Sequence, residues 1–305
     1  MTALPVTFLV EAQDFLVSRV AMAQSESILS WWEQWPSMNV TMEEETRAEH
    51  NLEEIVGDTP ELKRMLRLAM KAARSDAPLL IFGEAGSGKE LIARAIHRIS
   101  VRRNESFVKI NCSMADEETL ERELFGHAAE IEGTSPKVGQ VEAANKGILF
   151  LNEIAQIPLG IQARLLRLLE RREFERASST HTTRVNVRLI ASTKYDLGER
   201  VAEEMFRDDL YDQLNVFPIR VPPLRERRKD IPLLARYFTQ KFARRIDKQI
   251  DSIPDETMSF LMNSDWPGNV RQLENLIQLA VVLTEGPVLR VPLPELHPES
   301  KAESD

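Results

Sequence analysis

The sequence predicts an α/β fold, a five-stranded parallel sheet sandwiched by helices, followed by a small all-helical lid. Three observations lead there. Short apolar runs alternate with helical stretches between Pro60 and Val221, as strands buried on both faces do. The first run leads into a glycine-rich loop that ends in a lysine. Beyond Pro222-Pro223 the apolar spacing is helical only.

Residues 1–50 read as a separate helical segment and linker. No Gly or Pro interrupts Glu11 to Trp35, and Phe15, Leu16, Val20, Ile28, Leu29, Trp31, Trp32 and Trp35 give a loosely helical apolar face that stops at Pro36. Two readings stay open for it: a helix packed on the main domain, or a contact with a subunit or partner. Glu43, Glu44 and Glu45 read as a solvated linker.

The nucleotide-binding part is expected over residues 51–222. A helix around Pro60 to Arg74 precedes the strand Leu79–Phe82, and a helix from Glu90 to His97 follows the glycine-rich loop, with Leu91, Ile92 and Ala95 on one side. Strands are expected at 107–112, at 148–151 ending in Asn152-Glu153, at 187–192 and at 217–221. A helix from Ile161 to Glu170 turns Ile161, Leu165, Leu168 and Leu169 inward and Arg164, Arg167 and Arg171 outward. The lid, residues 223–288, holds three helices marked by Ile231, Leu234, Tyr237, Phe238 and Phe242, by Met258, Leu261 and Met262, and by Val270, Leu273, Ile277 and Val281. Residues 289–305 form a tail whose Pro, Glu and Ser content predicts disorder.

Composition narrows the function. The net charge is −9, from 39 Lys+Arg against 48 Asp+Glu, which argues against a general phosphate-backbone binder. The single cysteine, Cys112, has no internal disulfide partner and reads as a small core residue at a strand end, and five scattered histidines show no metal-ligand spacing. The apolar run Val6–Val10 is broken by Glu11 and Asp14, too early for a signal peptide or a membrane span. A cytoplasmic protein is expected, with no membrane partner.

The loop Gly83-Glu84-Ala85-Gly86-Ser87-Gly88-Lys89-Glu90 carries the chemistry. Its glycines let main-chain N–H groups approach phosphate oxygens, the following helix presents its positive end, and Lys89 reaches the β- and γ-phosphates. The usual motif ends in Ser or Thr, which helps to hold Mg²⁺, and here Glu90 stands there. The plain alternative is a strand-to-helix turn without a ligand.

The order of motifs from about Glu49 to Pro292 resembles the AAA+ domain of bacterial sigma-54-dependent activators. The matching segments are the loop itself, Glu123-Leu-Phe-Gly-His127, Leu149-Phe-Leu-Asn-Glu153, Phe206-Arg-Asp-Asp-Leu210, Asn215-Val-Phe-Pro-Ile219, Pro222-Pro-Leu-Arg-Glu-Arg227 and Trp266-Pro-Gly-Asn-Val-Arg271. In that family a glutamate after the loop lysine is normal. The resemblance implies a ring-forming ATPase, often a hexamer with itself or with related activators, that remodels RNA polymerase bound to sigma-54.

It also implies roles for particular residues. Glu153 polarises water, with Asn111 as the partner that restrains it. Arg207 is a finger offered to a neighbouring subunit's nucleotide, and Arg271 is a second sensor on the lid. Glu90, Asn152 and Glu153 would share Mg²⁺. Several positions depart from the family pattern. Asn152 replaces the carboxylate on the metal side, which weakens a site for a hard cation. Lys194 ends the sensor strand Ala191-Ser-Thr-Lys194 where the family has asparagine, and Gln213 replaces a second finger. The family's sigma-54 contact motif, Gly-Ala-Phe-Thr-Gly-Ala, falls on Glu130-Ile-Glu-Gly-Thr-Ser135, where an acidic tip argues against contact with sigma-54 RNA polymerase. No DNA-binding element is expected after Leu293, hence no sequence-specific DNA binding.

Two classes of function remain, besides that of a remnant without a role. One is a transcription regulator that binds ATP with impaired hydrolysis and impaired sigma-54 contact. The other is an active ATPase, working through Lys89, Glu153 and Arg207, that remodels sigma-54 RNA polymerase or another partner.

Overall fold

A computed structural model describes residues 55–113, 116–127, 137–176 and 182–292. The tryptophan-bearing first segment, its linker, the acidic stretch Glu130–Ser135 and residues 293–305 of the expected tail lie outside the described residues; residues 289–292 of that tail are described, and Leu289 is buried in the lid core, its N–H donating to the Ser252 carbonyl.

The central sheet has five strands: β1 (Leu79–Phe82), β2 (Phe107–Asn111), β5 (Ile148–Asn152), β8 (Arg188–Thr193) and β9 (Pro218–Arg220). Their order across the sheet is β2-β5-β8-β1-β9, and every pairing is parallel. Each expected strand is present within a residue or two. Side chains alternate between faces. Leu79 and Ile81 of β1, with Ile148 and Phe150 of β5, pack with α1 (Pro60–Ala73) and α2 (Lys89–Ile99). Leu80, Leu149 and Leu151 join the other face, with α3 (Glu117–Phe125), α5 (Leu159–Arg171) and α7 (Asp208–Leu214). Cys112 is buried there, and burial pushes its thiol up to about 12.

The remaining elements are small. Two antiparallel pairs, β3 (Gly126–His127) with β4 (Lys137–Val138) and β6 (Glu173–Glu175) with β7 (Thr182–Arg184), flank the sheet, and the short helices α4 (Gln140–Ala143) and α6 (Leu197–Ala202) complete this part.

A 3-10 stretch, Leu224–Asp230, leads into the lid helices α8 (Ile231–Arg245), α9 (Asp255–Asn263) and α10 (Asn269–Leu283). Their shared core centres on Phe238, Leu261, Trp266, Leu273 and Ile277. Tyr237, expected on the inner face, is 40% exposed, since Phe238 and Phe242 already fill that face of α8. Asp230 ties the lid to the start of α1: its buried carboxylate accepts from the N–H groups of Asp58 (2.6 Å) and Thr59 (3.0 Å) and from the Thr59 hydroxyl (2.8 Å). Pro60 then opens α1, where a missing N–H costs nothing. Among the described residues no helix is long and apolar enough to cross a membrane.

Candidate nucleotide site

The site lies at the carboxyl ends of β1, β5 and β8, where an open α/β sheet offers a crevice. Gly83 leaves β1 with its N–H donating to the Thr193 carbonyl at 3.1 Å, which places the loop beside the end of β8. Gly88 precedes α2, whose first main-chain bond runs from Ile92 N–H to the Gly88 carbonyl. The N–H groups of the first turn have no acceptor within the helix, which suits an anion.

Lys89 is 6% exposed. Its ammonium donates to the carbonyls of Gly83 (2.7 Å) and Glu84 (3.2 Å) and lies 3.4 Å from Glu153 Oε1. Burial lowers its pKa, the Glu153 carboxylate opposes that shift, and the like charges of Lys194 and Arg271 add to it. The buried Ser87 hydroxyl has no hydrogen-bond partner among the described residues. Glu153 has a left-handed backbone (φ 60°), an uncommon conformation for a non-glycine residue and one that collects at functional sites.

The lid closes over the loop through Asn269, Arg225 and Arg227, none of which is among the expected site residues. Asn269, fully buried at the start of α10, accepts from Leu224 N–H (2.8 Å) and donates to Glu84 Oε2 (3.0 Å) and the Ala85 carbonyl (3.1 Å). Arg225 makes a bidentate pair with Glu84, at 2.8 and 2.5 Å. The Arg225 and Asn269 bonds together hold the Glu84 carboxyl down at about 2. Buried Arg227 donates to the Ser87 carbonyl at 3.0 Å. Gly86 has φ 74°, and a Cβ there would lie 2.2 Å from the Gly268 carbonyl, so loop and lid touch backbone to backbone. All three residues lie in the segments Pro222–Arg227 and Trp266–Arg271, where the family resemblance assigns a nucleotide contact to Arg271 alone.

Other expected site residues fall into four groups. Arg271 is gathered at the cleft, its N–H donating to the Gly86 carbonyl at 3.3 Å, and so is Lys194, whose N–H donates to Glu153 Oε2 at 3.2 Å. Asn152 and Asn111 are neighbours in register across β5 and β2, but their bonds run elsewhere. Asn152 Oδ1 accepts from the Ser192 hydroxyl (2.9 Å), and Asn111 Oδ1 from the Ser113 hydroxyl (2.9 Å). Among the described residues Glu153 is thus bonded to Lys89 and Lys194 rather than to Asn111. Glu90 faces outward to Arg94 (2.9 Å) and Lys109 (2.6 Å); burial acts to raise its pKa, and those two cations outweigh it to give a lowered value.

Arg207 belongs to another surface. It precedes α7, is paired bidentately with Asp209 (2.9 and 2.6 Å), and its N–H donates to Gln162 Oε1 at 2.8 Å. Gln162, fully buried, also donates to the carbonyls of Ile157 and Met205 and so fixes that corner. Sequence offered only one cue to it, a polar residue on the inner face of α5.

A parallel sheet in this order, a phosphate loop after β1 and a helical lid clamped to it together define an AAA+ P-loop domain. The family model of the sigma-54 interaction domain matches residues 55–220, and that of an AAA+ ATPase lid domain matches residues 225–304. The chain belongs to the sigma-54 interaction domain family. It is 50% identical over 245 residues to the formate hydrogenlyase transcriptional activator FhlA of Escherichia coli, a match covering 80% of this chain and 35% of that protein. With the DNA-binding transcriptional activator HyfR of Escherichia coli it shares 44% identity over 290 residues, 91% of this chain and 42% of the relative. The chain thus spans well under half of either relative's length. Among solved structures, NtrX from Brucella abortus in complex with ADP superposes with a TM-score of 0.76 at 35% identity, covering 86% of this chain and 60% of that one. The complex of the same protein with ATP gives a TM-score of 0.73 at 37% identity, over 79% and 56% of the respective chains.

Proposed function

We propose that this chain is a nucleotide-binding regulator of transcription of the sigma-54 activator type, which binds ATP or ADP in the loop–lid cleft and turns ATP over slowly. The observation that carries the reading is the built cleft itself: Lys89 seated by two loop carbonyls and Glu153, a buried Ser87 hydroxyl without a partner among the described residues, and a lid pinned to the loop through Asn269. Kinship with proteins whose NtrX representative was crystallised with ATP and with ADP supports the same reading.

The chain's own residues would act as follows. The loop amides and Lys89 bind the polyphosphate, Arg271 reaches it from the lid, and the Glu153 carboxylate orients a water. Slow turnover follows from charge. Glu153 is engaged by Lys89 and by Lys194 N–H, Asn152 brings no carboxylate, and an arginine finger of the kind worth roughly 10³ to 10⁵ in rate is halved as a pair by Gln213. Assembly into rings, with itself or with related activators, follows from the exposed Arg207, whose role requires a neighbour.

Binding of ATP and ADP by titration calorimetry and phosphate release by the full chain test this. Saturable binding, lost in Lys89→Ala, with turnover well below that of a family member carrying both fingers, is the expected result. Absence of binding on folded protein overturns it. A second reading, an active ATPase that remodels sigma-54 RNA polymerase or another partner, is favoured by the presence of Glu153 and Arg207. Brisk turnover that Glu153→Gln abolishes would establish that one instead.

A further inference from the structure

The cleft sets several cations around one carboxylate, Glu153, that the Lys89 ammonium and the Lys194 N–H engage. Mg²⁺ at a polyphosphate site is usually held by one or two carboxylates together with the phosphates. The side chains that the family resemblance assigns to it are each committed elsewhere. Asn152 is neutral, and its amide oxygen accepts from Ser192. Glu153 spans Lys89 and the Lys194 N–H, and Glu90 is bound by Arg94 and Lys109. The donors present do not fit a resident divalent cation.

Three cationic residues border the loop instead. The register of β1 on β8 pairs Phe82 with Thr193, so Lys194 follows directly beside the start of the phosphate loop, and it is exposed at the cleft. One carboxylate, Glu153, touches both the Lys194 N–H and the Lys89 ammonium, so the Lys194 main chain is fixed beside Lys89, while the Lys194 ammonium rests 5.0 Å from the centre of the adjacent Tyr195 ring. Arg271 is joined to the loop through the Gly86 carbonyl, with its Cβ 3.1 Å from where a Cβ on Gly86 would stand. Both Lys194 and Arg271 act through space on Lys89 as like charges. A carboxylate at position 152 would repel a bare triphosphate, and an amide does not. A lysine at position 194 attracts it, where an asparagine would add no charge.

We propose that the cleft neutralises the nucleotide's phosphates with Lys89, Lys194 and Arg271 in place of a divalent cation, so that ATP affinity is nearly independent of Mg²⁺. This rests on reading the loop as a nucleotide site. It also accounts for slow chemistry, because the charge that holds the ground state is fixed and leaves no metal to activate.

The test is calorimetric titration of the full chain with ATP and with ADP, in excess MgCl₂ and in EDTA. The parent should bind ATP within about threefold in the two conditions. Lys194→Asn, at an exposed position where folding is not at stake, should weaken ATP binding in EDTA by about tenfold, the residue of a Coulombic contact after solvent screening, and ADP binding by less. Asn152→Asp keeps an acceptor for Ser192 and should restore a preference for Mg²⁺ of about tenfold or more. Parent binding that falls tenfold or more in EDTA, or a Lys194→Asn variant that matches the parent there, overturns the proposal and leaves the nucleotide site standing. No binding in either condition removes both.

Discussion

Replacing Asn269 by alanine tests whether the lid holds the phosphate loop. The amide is fully buried and makes three bonds, to Leu224 N–H, Glu84 Oε2 and the Ala85 carbonyl, from a backbone at φ 53°. Leaving the buried Leu224 N–H without an acceptor costs about 2 kcal/mol, and the two bonds from Nδ2, one of them to a solvent-accessible carboxylate, add about 0.5 kcal/mol each. Alanine in the left-handed region adds about 1 kcal/mol. The whole is about 4 kcal/mol, at the upper end of what single substitutions do. Asn269→Gly removes the same bonds without the backbone penalty, so it should cost about 1 kcal/mol less than alanine. Urea denaturation followed by circular dichroism gives the totals. Hydrogen exchange at Leu224 gives the local event, since its amide should lose protection in both variants. An alanine variant within about 1 kcal/mol of the parent, with Leu224 still protected, would refute the latch.

Gly86→Ala places a Cβ 2.2 Å from the Gly268 carbonyl at a φ of 74°, so lid and loop must part; titration calorimetry should show ATP affinity reduced at least about tenfold, with about 1–3 kcal/mol of stability lost. The Glu84 carboxyl is depressed from its ordinary 4.5 to about 2, so its pairing with Arg225 and Asn269 is fully present above about 4.5 and is lost as pH falls through about 2. The stability difference between parent and Glu84→Gln, from urea midpoints across pH, should therefore be flat above pH 5 and shrink below about 4.5. Cys112, buried and with its thiol pushed up to about 12, should resist Ellman's reagent at pH 8 until urea unfolds the chain.

Much of the fold was legible because it rests on local signals. Buried parallel strands read as unbroken apolar runs, and Leu79–Phe82 stands between Pro78 and Gly83 and Ile148–Leu151 between Gly147 and Asn152, so their ends are sharp. Helix α3 went unread: its nine residues, Glu117–Phe125, include four glutamates, and only Leu120, Leu124 and Phe125 are buried. The two small antiparallel pairs were invisible for a different reason, since strands of two or three residues carry no periodicity. In the site, the loop and its lysine could be read from spacing, but the bonds that clamp it could not. Asn269 meets Glu84 across 185 positions, and Arg227 meets Ser87 across 140. Contacts of that span depend on how the lid swings back, which no local pattern encodes.

The departures from the family pattern have a common physical character. Lys194 and Gln213 are exposed and Asn152 is only half-buried, so none of the three fills the apolar core. Changing them alters charge and hydrogen bonding at the cleft and on the helix that follows Arg207, while packing density stays as it was. The residues that position the cleft are the opposite case: Asn269, Arg227, Trp266 and Asp230 are all buried, and loss of any one would strand a donor, an acceptor or a large side chain. A chain of net charge −9 repels polyphosphate at a distance, and salt screens that repulsion beyond about 8 Å. Within that range the cleft's own lysines and Arg271 set the field. Substitution at its rim can therefore change what the site does with a nucleotide without disturbing the scaffold that presents it.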